Sequence, residues 1–383
     1  MIPYNRQSIS NSDIELIKKT LKKTIITRGD NLVKFEKAIK NYVNCKYTVG
    51  FNSASSALTS ACFGLNISKN DIVWTVPNSF VASANCALHF GAKIDFVDID
   101  KEYKNIDIDY LEQKLIKAKK QNKLPKLLIS VHFAGQATFQ EKIYKLSKKF
   151  GFKILEDASH SLGAKRFDQF VGSSKWSDAT VFSFHPIKTI TSAEGGMVCT
   201  NNYSIYKRII LFRNNGITKN PSEFIKKNEG NWYYEQIYLG HNYHLNEIEC
   251  ALGLSQVKQI NSFVKKRNSI ANFYDKNMRD CGFKLPKIEK ENLSSHHLYA
   301  INIDTNKINK NFFFKYMSKR GINLNVHYIP IHLHPFYKKL NFKKGDFPNS
   351  EWHYDTAISL PIYVGLKIND QKKIINIIKK FVE

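Results

Sequence analysis

Residues 183–200 read SFHPIKTITSAEGGMVCT, and the fold turns on how this stretch is taken. The apolar run ATVFSF (179–184) ends at Ser183 and Phe184, and a loop follows with His185, Lys188, Thr189, Thr191 and Ser192. The Gly195–Gly196 pair then leads into a second apolar run, GMVCT (196–200). Short β-branched or aromatic runs bounded by small residues read as strands. Upstream the same rhythm recurs in YTVGF (47–51), DIVWTV (71–76), KIDFVDI (93–99), KLLISV (126–131) and FKILED (152–157), with helical-period segments between them. Seven apolar strands alternating with helices predict one large α/β domain around a mostly parallel central sheet, covered on both faces.

The flanking regions have their own patterns. Ser12 and Glu15 have capping-box spacing ahead of Ile14, Ile17 and Leu21, which predicts an N-terminal helix. Residues 214–242 lack a clear period, but Trp232, Tyr233, Tyr234 and Tyr238 predict an ordered, packed segment. Helical character returns over 246–280. The last section of about 100 residues mixes strands (LYAINID, NLNVHY) with helices, the final one carrying Ile374, Ile377, Ile378 and Phe381 on one face. The expected division is residues 1–258, an N-terminal arm and large α/β domain, and residues 259–383, a smaller α+β domain.

Composition excludes several classes. The 383 residues carry a net charge of +25 from 58 basic and 33 acidic side chains, but 50 of the basic residues are Lys and only 8 are Arg, alongside 36 Asn. Readers of nucleic acid favour the planar fork of Arg, so this surplus reads as a Lys-rich solvated surface and no nucleic-acid partner is expected. No run reaches the ~18 apolar residues of a membrane helix, and the start, MIPYNRQSISNSDIE, lacks a secretory apolar run. Six scattered cysteines without a C-x-x-C pair predict free thiols in a cytoplasmic protein.

The chemistry concentrates at strand ends, where open α/β sheets bind ligands. FNSASSAL (51–58) turns from strand into helix through small hydroxyl residues, an anion seat built from backbone N–H groups with Ser53 and Ser55. EDASHSLGA (156–164) puts Glu156 and Asp157 at the end of an apolar strand, where an acid needs a partner. Lys188 follows a third strand. Neither a P-loop nor a G-x-G-x-x-G fingerprint is present. A phosphate seat, a carboxylate for a ring nitrogen and a Schiff-base lysine are the parts that pyridoxal phosphate asks for.

At these residues the sequence resembles the sugar-nucleotide aminotransferases of the DegT/DnrJ/EryC/StrS group, within fold-type I. The resemblance runs over the whole chain: the 31-residue spacing from Asp157 to Lys188, the lysine-to-Gly-Gly run, GHNYHLNEIECALG (240–253) and NVHYIPIHLHP (325–335). It implies that Lys188 and Asp157 are catalytic, with Lys188 holding pyridoxal 5'-phosphate and Asp157 facing its ring nitrogen. Ser53, Ala54, Ser55 and Ser183 would bind the phosphate, Phe80 would stack on the ring, and His160 would lie near the ring hydroxyl. Asn242 would reach the phosphate of a second subunit, which implies a homodimer with shared active sites. Tyr4, Thr27, His327 and Tyr328 would face a nucleotide sugar. His244 stands where the group often has Arg. The cluster His327, His332, His334 lacks an acid at matching spacing, so no metal is expected. Within the group, the closest likeness is to members that aminate carbon 4 of a 4-keto-6-deoxy UDP-N-acetylhexose from L-glutamate. Amination of another UDP- or dTDP-linked keto sugar, a dehydratase outcome and a basic binding protein without catalysis are the alternatives.

Overall fold

The computed structural model describes residues 1–382. Each of the seven expected runs forms a strand: β1 Tyr47–Phe51, β2 Ile72–Thr75, β3 Lys93–Phe96, β4 Leu127–Val131, β5 Lys153–Asp157, β6 Ala179–Ser183 and β7 Gly196–Thr200. They make one sheet in the order β1-β7-β6-β5-β4-β2-β3. Pairings from β3 through β6 are parallel, whereas β7 runs antiparallel to both β6 and β1. Every residue of β4, β6 and β7 is buried, which is why these runs are continuously apolar instead of alternating.

The covering helices are α1 Asn11–Leu21, α2 Asp30–Val43, α3 Ala54–Gly64, α4 Ala82–Leu88, α5 Ile108–Lys120, α6 Gln140–Phe150, α7 Tyr203–Arg213 and α8 Glu247–Val257. Local chemistry sets their ends. Asp107 caps α5 by accepting from the Tyr110 N–H, and α6 stops at Gly151 in the left-handed region, φ +83°. The capping box of α1 is Ser10 with Asp13, two residues upstream of the expected Ser12 and Glu15; Glu15 instead pairs with Lys18. The helix also turns polar residues inward: Asp13 and Thr20 are buried, whereas Ile14 and Leu21 are exposed.

The carboxylate of Glu247, fully buried at the start of α8, accepts from the backbone N–H groups of Gly29 (3.0 Å), Asn31 (2.8 Å) and Leu32 (3.0 Å), and so closes the start of α2. Hydrogen bonds to a buried charge are the strong kind, and their loss orphans three donors. Glu247→Ala is expected to lower unfolding stability by about 3 kcal/mol, read from urea denaturation of the cofactor-free protein.

Beyond α8 come α9 Ile260–Met278, α10 Lys310–Lys319, α11 Pro348–Thr356 and α12 Ile368–Val382, with strands β8 Tyr299–Asn302 and β9 Ala357–Leu360 paired antiparallel. Helix α9 serves two cores: Ile260, Phe263 and Val264 pack with the large sheet, and Ile270, Tyr274 and Met278 pack with β8, β9 and α12. The apolar face of α12 is seated as expected, with Ile374 and Ile378 buried and Ile377 and Phe381 packed at its margin. NLNVHY, expected as a strand, makes only a single bridge from Asn325 to Ser359, and its side chains line a cavity instead. Residues 214–242 are ordered around a two-residue pair, Ile217–Thr218 with Glu235–Gln236. Tyr233 bonds Glu235, but Trp232, expected to pack, is 76% exposed.

Candidate active site

The carboxyl ends of β1, β2, β4, β5 and β6 open onto a cavity of about 540 Å³. Eleven of the thirteen residues singled out from the sequence line it: Tyr4, Ser53, Ala54, Ser55, Phe80, Asp157, His160, Ser183, Lys188, His327 and Tyr328.

Lys188 is placed by a loop folded back on β6. Thr191 Oγ1 and the Ser192 N–H both donate to the Phe184 carbonyl (2.9 and 3.0 Å), the Phe184 N–H donates to Gly195 O, and the Lys188 N–H donates to His185 O. Burial pushes the Lys188 amine down to about 8, against the opposing pull of the Asp157 charge. Asp157, the last residue of β5, accepts from Ser83 Oγ and Ser159 Oγ, each at 2.6 Å.

Ser53 caps α3, its side chain accepting from the Ser56 N–H at 3.1 Å. The first-turn N–H groups of the helix have no partner within it, and Ala54 and Ser55 face the cavity. Gly196 opens β7 against this turn: a Cβ there would lie 2.5 Å from the Ser53 carbonyl oxygen. Only glycine lets the strand pass so close to the seat. Phe80 lines the cavity and is 60% exposed, so it is not a core Phe.

His160 is buried, bonded through Nε2 to the Tyr328 hydroxyl (2.9 Å), with its Nδ1 lacking any partner. Burial, then the charge of Lys188, holds its imidazole well below the usual histidine range. His327, bonded through Nδ1 to Ser359 Oγ at 2.8 Å, is pushed down to about 3 by burial and Lys188. Both imidazoles are therefore neutral at pH 7.

Two of the thirteen stand elsewhere. Thr27 bridges Asn246 and Asn242 bridges Asn214, both exposed and outside the cavity of their own protomer. His244 bonds Asn214 Oδ1 through Nε2, and burial pushes it down to about 4; it is not a cation that could stand in for Arg. His332 Nε2 is committed to Glu351 Oε1 at 2.9 Å. The described residues hold no cluster of three His, Cys, Asp or Glu side chains placed to share a metal ion. Ser79, Val131, Ser159, His185, Ile187, Glu194, Asn325 and Val326 also line the cavity. All lie within or beside the strand-end motifs, so proximity to those motifs was the available signal.

The donor set suits pyridoxal phosphate. It combines an amine shifted towards its neutral form by burial, a carboxylate, a helix start that only a glycine neighbour keeps open, and an orphaned imidazole nitrogen.

Comparison with known proteins agrees. Residues 7–379 match the DegT/DnrJ/EryC1/StrS aminotransferase family. UDP-4-amino-4,6-dideoxy-N-acetyl-beta-L-altrosamine transaminase of Campylobacter jejuni is 37% identical over 374 residues, covering 97% of this chain and 95% of that protein. Among solved structures, Helicobacter pylori PseC, an aminotransferase involved in the biosynthesis of pseudoaminic acid, superimposes with a TM-score of 0.89 at 33% identity over 99% of this chain and 98% of that one. Spr1654 from Streptococcus pneumoniae, in its PLP form, superimposes with a TM-score of 0.88 at 25% identity, over 100% of this chain and 98% of that one. The chain belongs to the DegT/DnrJ/EryC1/StrS aminotransferase family and is a pyridoxal-phosphate-dependent aminotransferase.

Proposed function

We propose that this aminotransferase moves the amino group of L-glutamate to carbon 4 of a 4-keto-6-deoxy UDP-N-acetylhexose, forming UDP-4-amino-4,6-dideoxy-N-acetyl-β-L-altrosamine. The observation that carries the chemistry is the convergence of Lys188, Asp157 and the α3 start on one cavity. The choice of sugar is supported by the Campylobacter relative and by the PseC likeness.

When bound, pyridoxal phosphate supplies an aldehyde for an amine to condense with and a ring that takes up charge from the neighbouring carbon. Lys188 Nζ would hold the cofactor's aldehyde carbon, and its neutral amine would serve as the base that carries a proton at the donor's α carbon. Burial favours the neutral amine that this base role needs. Asp157 would face the ring nitrogen and keep its proton in place. Ser53, Ala54, Ser55 and Ser183 would receive the phosphate, Phe80 would stack on the ring, and His160, bonded to Tyr328, would lie near the ring hydroxyl. Tyr4, His327 and Tyr328 line the sugar side, whereas Thr27 lies outside this cavity.

The working unit is a homodimer in which Asn242 enters the partner's site. Ile9, Ile14, Leu21, Ile25, Ile26 and Val33 form an exposed apolar series on the N-terminal segment, and Ile225 and Leu239 are more than 80% exposed. Exposed apolar side chains in this number suit a surface covered by a second copy. Mixing Lys188→Ala with Asn242→Ala protein should restore activity, because a hybrid dimer holds one intact site, giving about a quarter of wild-type turnover. No recovery after co-refolding would show that the sites are not shared. The six cysteines are free and buried, in keeping with a reducing cytoplasm.

The deciding assay offers glutamate with a panel of 4-keto and 3-keto UDP- and dTDP-sugars. Amination restricted to a dTDP-linked 3-keto sugar overturns the substrate while leaving the cofactor chemistry intact. A second check uses pH. Uptake of pyridoxal phosphate by the cofactor-free protein needs neutral Lys188, so its rate should rise about tenfold per pH unit at lower pH and level off above about 8.

A further inference from the structure

The sequence motifs leave Ser79 and Ser83 without a role, yet both are buried beside the cavity. Hydroxyls near a helix start usually return to their own backbone, as Thr59 and Ser60 in α3 do to the carbonyls of Ser55 and Ser56. Ser83, in α4, does not. Its Oγ reaches 74 positions along the chain to Asp157 Oδ2 at 2.6 Å, and Ser79 Oγ lies 2.7 Å from Ser83 Oγ.

The proton direction follows from the acceptor. A carboxylate only accepts, so the single Ser83 proton lies on the bond to Asp157. The bond between the two serines must then be donated by Ser79. Ser79, which lines the cavity, is left presenting lone pairs to it. On the other side Ser159 donates to Asp157 Oδ1 twice, from Oγ at 2.6 Å and from its N–H at 3.2 Å. Donors grip both oxygens, which fixes the carboxylate plane, and each oxygen keeps lone-pair capacity towards the cavity.

We propose that Ser79 and Ser83 form a one-way hydroxyl relay that aims Asp157 at the ring nitrogen of the cofactor. They are positioning residues, and the proposal rests on the reading of Asp157 given above. The relay also ties α4, which follows the Phe80 turn, to the end of β5, so the stacking ring and the carboxylate are set by one connected unit.

The test compares Ser83→Ala, Ser83→Thr, Ser79→Ala and Asp157→Asn as purified holoenzymes and after cofactor removal. Ser83→Ala should weaken the equilibrium binding of pyridoxal phosphate roughly tenfold and lower kcat about 10- to 100-fold, with KM for both substrates within about threefold. The pH midpoint of the bound cofactor's absorbance should shift in Ser83→Ala, a change that loosened packing alone would not make. Ser83→Thr, which keeps the hydroxyl, should restore both properties, and Ser79→Ala should show a smaller effect because it acts through Ser83. Wild-type cofactor affinity and spectrum in Ser83→Ala, or equal damage in Ser83→Thr, overturns the relay. If Asp157→Asn is impaired while Ser83→Ala is normal, the relay alone fails. If Asp157→Asn itself behaves as wild type, the reading of Asp157 fails and takes the relay with it.

Discussion

Lys188→Ala is expected to abolish transamination, with kcat falling by about 10⁴-fold or more, since in the role proposed for it Lys188 is both the covalent anchor and the proton carrier. Residual turnover above that level would take Lys188 out of its role. Borohydride reduction of the wild-type holoenzyme should fix the cofactor to the peptide containing Lys188, and the variant should remain unlabelled. The fold should survive, because the side chain projects into the cavity and not into the core. Stability even has a predictable sign. The amine titrates near 8 when folded, below its ordinary value of 10.5, so between those values the unfolded chain binds more protons and wild-type stability rises with pH. Below about 8 the buried ammonium opposes folding. The cofactor-free variant should therefore melt above cofactor-free wild type at pH 7, and the gap should close towards pH 10.5. A variant less stable than wild type at pH 7 would mean that Lys188 makes contacts worth more than its desolvation costs.

That Lys188 and Asp157 were legible from sequence as strand-end residues, and Ser83 beside Asp157 was not, is a matter of position. Strand ends are visible as the points where apolar runs stop, and a lysine or an acid there stands out against hydrophobic neighbours. Ser83 sits among small residues at the start of α4, and its significance depends on a partner 74 positions away. The seven strands were equally visible, since four or five continuous apolar residues leave little else to build. Their direction was less so. Hydrophobicity carries no arrow, and β7 runs against its neighbours because residues 184–195 fold as a loop, without the crossover helix that a parallel return requires.

The N-terminal helix shows a different limit. Ser10 with Asp13 and Ser12 with Glu15 both satisfy capping-box spacing, and the geometry chose the first. Ile14 and Leu21 were correctly placed on a helix, but they face outward, and the dimer proposed above would give them a surface to cover. Trp232 in the segment 214–242 follows the same logic: it is an aromatic rich in contact area that its own chain leaves exposed. NLNVHY has the alternation of a strand, but tertiary demand overrode it, since Asn325, Val326, His327 and Tyr328 are needed at the cavity wall.

Asp157→Asn should be the most informative single change at the other end of the cofactor. It is nearly isosteric, so the grip can persist, with Ser159 still donating to the amide oxygen and the Ser83 hydroxyl rotated to accept from the new amide N–H. What is lost is the negative charge opposite the ring nitrogen. Charge-assisted pairs in a water-poor site are worth several neutral hydrogen bonds, and a fall in kcat of about 10³-fold is expected, with KM for the sugar within a few fold. Cofactor retention should also drop on dialysis, because one anchoring contact is gone while the phosphate seat remains. A structural role and an electronic role then separate cleanly. Asp157→Ala opens space beside the ring nitrogen, and a cofactor methylated at that nitrogen carries the positive charge permanently. If Asp157 serves to keep that charge in place, the methylated cofactor should recover part of the activity lost in Asp157→Ala and none in wild type, where the carboxylate occupies the methyl's position. Equal failure with both cofactors would make Asp157 a scaffold for the end of β5 and leave the electronic argument without its residue.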